Sequence, residues 1–126
     1  MNWTGIVIHH SLSHDVSAEE IDRWHKKRGW RGIGYHCVIR KNGKIEPGRN
    51  ITQQGAHAKG RNHTHIGICL TGNFEREKPP EKQINSLIKV ITILKMVYDI
   101  QKIERHHERC PGKLFPFKQV LKKVGE

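Results

Sequence analysis

The chain lacks the features that would mark a membrane or a disulfide-stapled protein. None of its 126 residues fall in a run approaching the roughly 18 apolar residues of a membrane span. The opening Met1-Asn2-Trp3-Thr4 has neither a basic leader nor a long apolar region, so no signal peptide is visible. Cysteine is scarce: Cys37, Cys69 and Cys110 are an odd number at wide spacing, which argues against a disulfide framework and for folding in a reducing compartment. Aromatic residues are only 6% of the chain. They do not interleave with basic residues as a nucleic-acid stacking platform requires. Acidic residues are few, 12 against 23 Lys and Arg, for a formal net charge of +11. That excess favours polyanionic partners, whether nucleic acid, anionic membrane or an acidic wall polymer. Repeats, low-complexity runs and linkers are absent, and the length suits one domain over residues 1–126.

What is present has the pattern of an α/β domain. Thr4 to His9 holds Ile6, Val7 and Ile8 together, as in a buried central strand. A helix is predicted to start at Ser17, with Glu20 as its capping-box partner and Val16 stapled onto Ile21. It presents Ile21 and Trp24 on one face and ends at Gly29. His36 to Arg40, a turn over Asn42-Gly43 and Lys44 to Glu46 form a predicted hairpin. Ile51 to Thr64 is rich in Gly, His and Asn and is predicted to be a loop. Ile66 to Thr71 is a second buried strand. After Pro79-Pro80, Ile84, Leu87, Ile88, Ile91, Leu94 and Tyr98 recur at helical spacing, the stripe of a helix packed on a sheet. Pro116 opens a last short helix with Phe117, Val120, Leu121 and Val124 on its apolar side. The expected architecture is a mixed central β-sheet flanked by helices on both faces.

Chemistry concentrates at two distant places, His9-His10 at the end of the first strand and His106-His107-Glu108-Arg109-Cys110. A catalytic zinc needs three protein ligands and an open position for water. His9, His106 and Cys110 would supply two imidazole nitrogens and one sulfur. The competing reading is plain: ten histidines in a basic chain can be surface groups, and a lone cysteine is often a small buried hydrophobe.

The stretch from Trp24 to His36, which includes Gly29-Trp30-Arg31-Gly32 and Gly34-Tyr35-His36, is followed by Gly43-Lys44-Ile45, Gly48-Arg49 and Gly55-Ala56-His57-Ala58-Lys59-Gly60-Arg61-Asn62. Ile66 to Phe74 and Cys110-Pro111-Gly112 complete the set. In this order, over essentially the whole chain, the motifs resemble the phage lysozyme-type amidases and peptidoglycan recognition proteins. These are a superfamily of zinc-dependent N-acetylmuramoyl-L-alanine amidases. The resemblance implies that fold, one zinc per chain on His9, His106 and Cys110, and Tyr35 beside the metal-bound water. It also implies a substrate groove lined by Trp30, His36, His57 and Asn62, with His36 or His57 as donor to the tetrahedral intermediate or leaving amine. One departure stands out. The family has a longer loop between its last histidine and its cysteine, often with a lysine or threonine that polarises the scissile carbonyl. Here only His107, Glu108 and Arg109 intervene. His107 is the alternative ligand to His106, and Glu108 is either an acid that orients the imidazole or a solvated surface residue.

The implied reaction is hydrolysis of the amide between N-acetylmuramic acid and L-alanine of the stem peptide by zinc-activated water, in a phage or prophage endolysin. Such a protein is expected to be a monomer, made in the cytoplasm and acting on the wall after release at lysis. Anionic wall polymers are further expected partners. Two other readings are weighed: a non-catalytic peptidoglycan-binding module, and a basic nucleic-acid-binding protein, with any nucleic-acid binding taken as non-specific.

Overall fold

Two six-residue runs, Gly5–His10 and His65–Leu70, are buried at every position, as only strands covered on both faces can be. They are the centre of the sheet. The computed structural model describes residues 1–126. Its elements follow in the order β1 (Gly5–His10), α1 (Ala18–Lys27), β2 (Cys37–Ile39), β3 (Ile45–Pro47), β4 (His65–Leu70), α2 (Glu81–Val97), β5 (Lys102–Arg105) and α3 (Phe117–Lys123). The strands lie in the order β3-β2-β4-β1-β5. β1, β2, β4 and β5 are parallel, and β3 alone is antiparallel, as the returning strand of the hairpin. No helix is long and apolar enough to cross a membrane.

Because strand side chains alternate, the sheet divides its residues between two layers. Ile6 and Ile8 of β1 and Ile66, Ile68 and Leu70 of β4 pack with Leu87 and Ile91 of α2 and with Val120 and Val124 near α3. Cys69 and Val38 face the other way and pack with Val16, Ile21 and Ile33 around α1. His9 pairs in register with Cys69, so its side chain belongs to the α1 layer.

α1 begins where predicted. The Ser17 hydroxyl accepts from the Glu20 N–H at 3.1 Å, and Gly29 ends the turn at φ +87°. The capping box is only half made, because the Glu20 carboxylate turns to Arg23 and to the Trp24 indole N–H. Pro116 stands just before α3 as its cap rather than in its first turn. β5 is an element that hydrophobic pattern did not foresee. Its sequence, Lys-Ile-Glu-Arg, buries only Ile103, so no period of two rises above the charges.

Asp15, in the loop after β1, fastens that loop to the ends of two other strands. Its carboxylate accepts from Arg40 at 3.0 and 3.2 Å, from the Lys41 N–H at 3.2 Å and from the Thr71 hydroxyl at 2.6 Å. Desolvation would raise the Asp15 pKa, but the bonds from Arg40, Thr71 and Lys41 outweigh it and hold the group at about 2. The folded pKa lies below the ordinary 3.8, so the contribution is fully present above about pH 4 and is lost as pH falls towards 2. With 36% of the side chain exposed, it amounts to about 1 kcal/mol after screening. Asp15→Asn is expected to lower the melting temperature at pH 7 and to flatten the stability profile between pH 4 and 2. Thermal melts across that range check both.

Candidate metal centre

Parallel strands deliver their carboxyl ends to one edge of the sheet, where open α/β sheets place their sites. β1 and β5 run side by side with Ile8 opposite Arg105. The next residue of each is a histidine. The rings of His9 and His106 lie 4.5 Å apart between centroids. Beyond His106 the chain turns back at once, with reciprocal backbone bonds of 3.2 Å between His107 and Cys110. The short span is therefore a tight turn, and it carries the Cys110 sulfur to 3.8 Å from His9 Nδ1. The His10 N–H points at the same sulfur at 3.4 Å.

One ligand atom each from His9, His106 and Cys110 lie within 4.8 Å of one another. On a tetrahedral zinc, the usual Zn–N and Zn–S lengths put a nitrogen and a sulfur about 3.6 Å apart, close to the 3.8 Å seen between His9 and Cys110. Two imidazoles and one thiol are also the donor set that leaves zinc an open position. The residues fit the ion. Of the two adjacent histidines, His106 is the one that converges. His107 is exposed, and its Nδ1 accepts from the Arg109 N–H at 3.1 Å. Glu108 is exposed as well and bonds to neither imidazole.

Burial and neighbouring charges keep the three candidate ligands neutral. Burial, then the neighbouring His57 and His106, push the pKa of His9 well below 6.5. Burial, His107 and Arg61 bring His106 to about 4. Both rings are thus neutral and able to ligate at neutral pH. Burial pushes the Cys110 thiol up to about 11, against the His10 N–H, which favours the thiolate. Burial, then Cys69 and Cys110, hold the Tyr35 phenol protonated well above its ordinary value.

The three converging groups open into a cavity of about 400 Å³ that is also lined by Ser11, Leu12, Tyr35, Glu75, His107 and Arg109. A larger hollow of about 550 Å³ lies between Lys78, Arg105 and the segment Lys113–Gln119. It shares no residue with the first and contains none of the converging groups.

Of the residues expected to line a groove, Trp30, His57 and Asn62 border one recess and His36 lies apart from it. Trp30 is 39% exposed and flanks a shallow recess with Ala58, Lys59 and Asn62. His36 is buried, and both ring nitrogens are engaged inside the protein: Nδ1 accepts from the Gly67 N–H at 3.1 Å and Nε2 donates to the Gln53 carbonyl at 2.8 Å. It lines none of the cavities above. His57 is buried behind His9, with its Nδ1 2.9 Å from His9 Nε2, and it borders the Trp30 recess. Asn62 spends its side-chain oxygen on the His57 and Ala58 N–H groups, at 2.7 and 2.8 Å.

Sequence reasoning did not single out Arg61, whose guanidinium donates to the carbonyls of Arg105 and His106 at 3.0 and 2.7 Å. No local pattern could have found it, since its partners are 44 and 45 residues away.

Comparison with known proteins agrees with this geometry. The model of the N-acetylmuramoyl-L-alanine amidase family matches residues 1–113. The endolysin of Escherichia phage T7 is 38% identical over 105 residues, spanning 79% of this chain and 69% of the relative. That of Klebsiella phage KP32 is 37% identical over 102 residues, 77% and 68% of the two chains. The N-acetylmuramoyl-L-alanine amidase LysC from Clostridium intestinale superposes with a TM-score of 0.95 at 40% identity, covering 98% of this chain and 86% of that one. Drosophila PGRP-LB superposes with a TM-score of 0.83 at 28% identity, covering 95% and 80%.

The ligand assignment has a direct check. His106→Ala and Cys110→Ala are expected to lose stoichiometric zinc after gel filtration, whereas His107→Ala keeps it. The thiol titrates at about 11 and the His106 imidazole at about 4, so binding near neutrality releases one proton, from Cys110. Zinc affinity should therefore tighten by about tenfold per pH unit between roughly pH 6 and 9, measured by chelator competition. A flat profile would mean that Cys110 is not a ligand.

Proposed function

This chain belongs to the N-acetylmuramoyl-L-alanine amidase family, and we infer that the His9–His106–Cys110 cavity is where its chemistry takes place. The protein is a zinc-dependent peptidoglycan amidase of the phage endolysin type. The convergence of His9, His106 and Cys110 carries this reading. Residues 1–126 are taken as one catalytic domain.

The bond cleaved joins the lactyl carbonyl of N-acetylmuramic acid to the nitrogen of L-alanine. Water adds to the carbonyl carbon, the C–N bond breaks, and a carboxylate and a free amine leave. Zinc held by His9, His106 and Cys110 supplies the Lewis acidity that makes water nucleophilic near neutral pH and polarises a carbonyl. Tyr35 lines the same cavity. With its phenol held protonated, we assign it as a hydrogen-bond donor to the oxyanion rather than a base. His107 and Arg109 line the rim, and we propose that the Arg109 guanidinium supplies the carbonyl-polarising positive charge in place of the longer loop's lysine or threonine. Trp30 is left as the exposed groove residue. Asn62 lines the same recess, and His36, engaged within the protein, supports it from behind.

The protein acts on the bacterial wall after phage-induced lysis. We propose that it is made in the cytoplasm and meets its substrate only then.

Digesting purified peptidoglycan with the zinc-loaded protein should release stem peptides bearing a free L-alanine amino terminus, identified by mass. Zinc at one equivalent with no release would leave a binding module instead. Tyr35→Phe should lower kcat by about 10²–10³-fold if the phenol is an oxyanion donor, with zinc content unchanged. Arg109→Ala should lower kcat while leaving zinc content intact.

A further inference from the structure

We propose that the segment from Gly55 to His65 is the positioning element of the metal centre. Within it, His57 sets which nitrogen of His9 faces the ion, and Arg61 fixes the main chain of His106. The inference rests on the reading that His9, His106 and Cys110 hold zinc.

A backbone carbonyl can only accept a hydrogen bond. His57 Nε2 lies 3.0 Å from the His65 carbonyl oxygen, so Nε2 carries the hydrogen. A neutral imidazole has one N–H, which leaves His57 Nδ1 bare and able only to accept. Facing that atom at 2.9 Å is His9 Nε2, which must then be the donor. His9 Nδ1 is left bare, and it is the nitrogen 3.8 Å from the Cys110 sulfur. One backbone carbonyl thus selects, through two rings, the tautomer that presents a lone pair to the metal.

His57 has little freedom to do otherwise. A Cβ at Gly67 would come within 2.5 Å of its Cγ, and one at Gly55 within 2.6 Å of its Cδ2. Two glycines therefore let the ring sit against main chain. From the other side, Asn62 Oδ1 accepts the His57 and Ala58 N–H groups, so the backbone that bears the ring is tied down too. One turn further on, Arg61 donates to the carbonyls of Arg105 and His106 and lies 3.5 Å from the Glu104 carboxylate. The same short segment holds the imidazole of one ligand and the backbone of another. Neither His57 nor Arg61 is itself a ligand; both are positioning residues.

Two measurements test this. Side-chain ¹⁵N NMR of the zinc-loaded wild-type protein is expected to show His9 and His57 each protonated at Nε2 and not at Nδ1. Chelator competition is expected to show zinc binding weakened about 10–100-fold in His57→Ala. His57→Gln should recover most of it, because one amide can both accept from His9 and donate to the His65 carbonyl. Arg61→Met should weaken zinc through His106 without changing the His9 tautomer. A hydrogen on His9 Nδ1 in the wild-type protein overturns the proposal, and so does His57→Ala with affinity within about twofold of the parent. The NMR result needs no variant, so it decides the matter even if His57→Ala fails to fold. Failure of the wild-type protein to bind zinc would sink the metal reading itself, a different outcome from normal binding that ignores His57.

Discussion

The site depends on one alignment, the parallel pairing of β5 with β1 in the register that sets Ile8 opposite Arg105. Everything reactive follows from that register. It places His106 beside His9, starts the turn that returns Cys110, and brings the His106 carbonyl within reach of Arg61. The register is protected because β1 is buried on both faces. A slip of one residue would exchange the two faces of the strand. It would drive His9 into the layer of Leu87 and Ile91 and expose Ile8 at the site. Hydrophobic packing in one layer thus secures ligand geometry in the other.

Histidine is used in this fold mainly as an internal connector. His25, His36 and His57 are buried, and each accepts or donates within the protein. His25 Nδ1 takes the Gly34 N–H at 2.9 Å, His36 bridges Gly67 to Gln53, and His57 bridges His9 to His65. Such rings must stay neutral, and burial pushes them that way, His25 and His57 to about 4. The buried imidazoles of the scaffold are therefore uncharged and polar, with the Arg61 guanidinium behind them and Arg109 at the rim. A developing negative charge meets fixed dipoles inside and a cation at the edge.

The sequence was most legible where local rules dominate. β1, β4, the Ser17 start of α1 and the stripe of α2 follow from residue pattern, and the structure buries Leu87 and Ile91 of that stripe completely. The pairing of His9 with Cys110 was legible from donor chemistry together with the order of motifs. Less was available at the second histidine, because His106 and His107 differ only in which way a turn points them. β5 escaped notice because it has one buried apolar residue among charges. The reading of histidines as surface groups fails for the same kind of reason. Burial of His36 and His57 is conferred by glycines at positions 55 and 67 and by the Gln53 and His65 carbonyls, none of which a single sequence displays as a pattern.

The first ligand sits in the first strand and the last lies 101 residues later. A ribosome making this chain must pass residue 110, and free the edge strand just before it, before the two can meet. Shorter nascent chains hold His9 without its partners, and parallel pairing over such distance is slow to form. A chain that stops upstream of the turn holds His9 but not Cys110, so it lacks the complete set of three ligands.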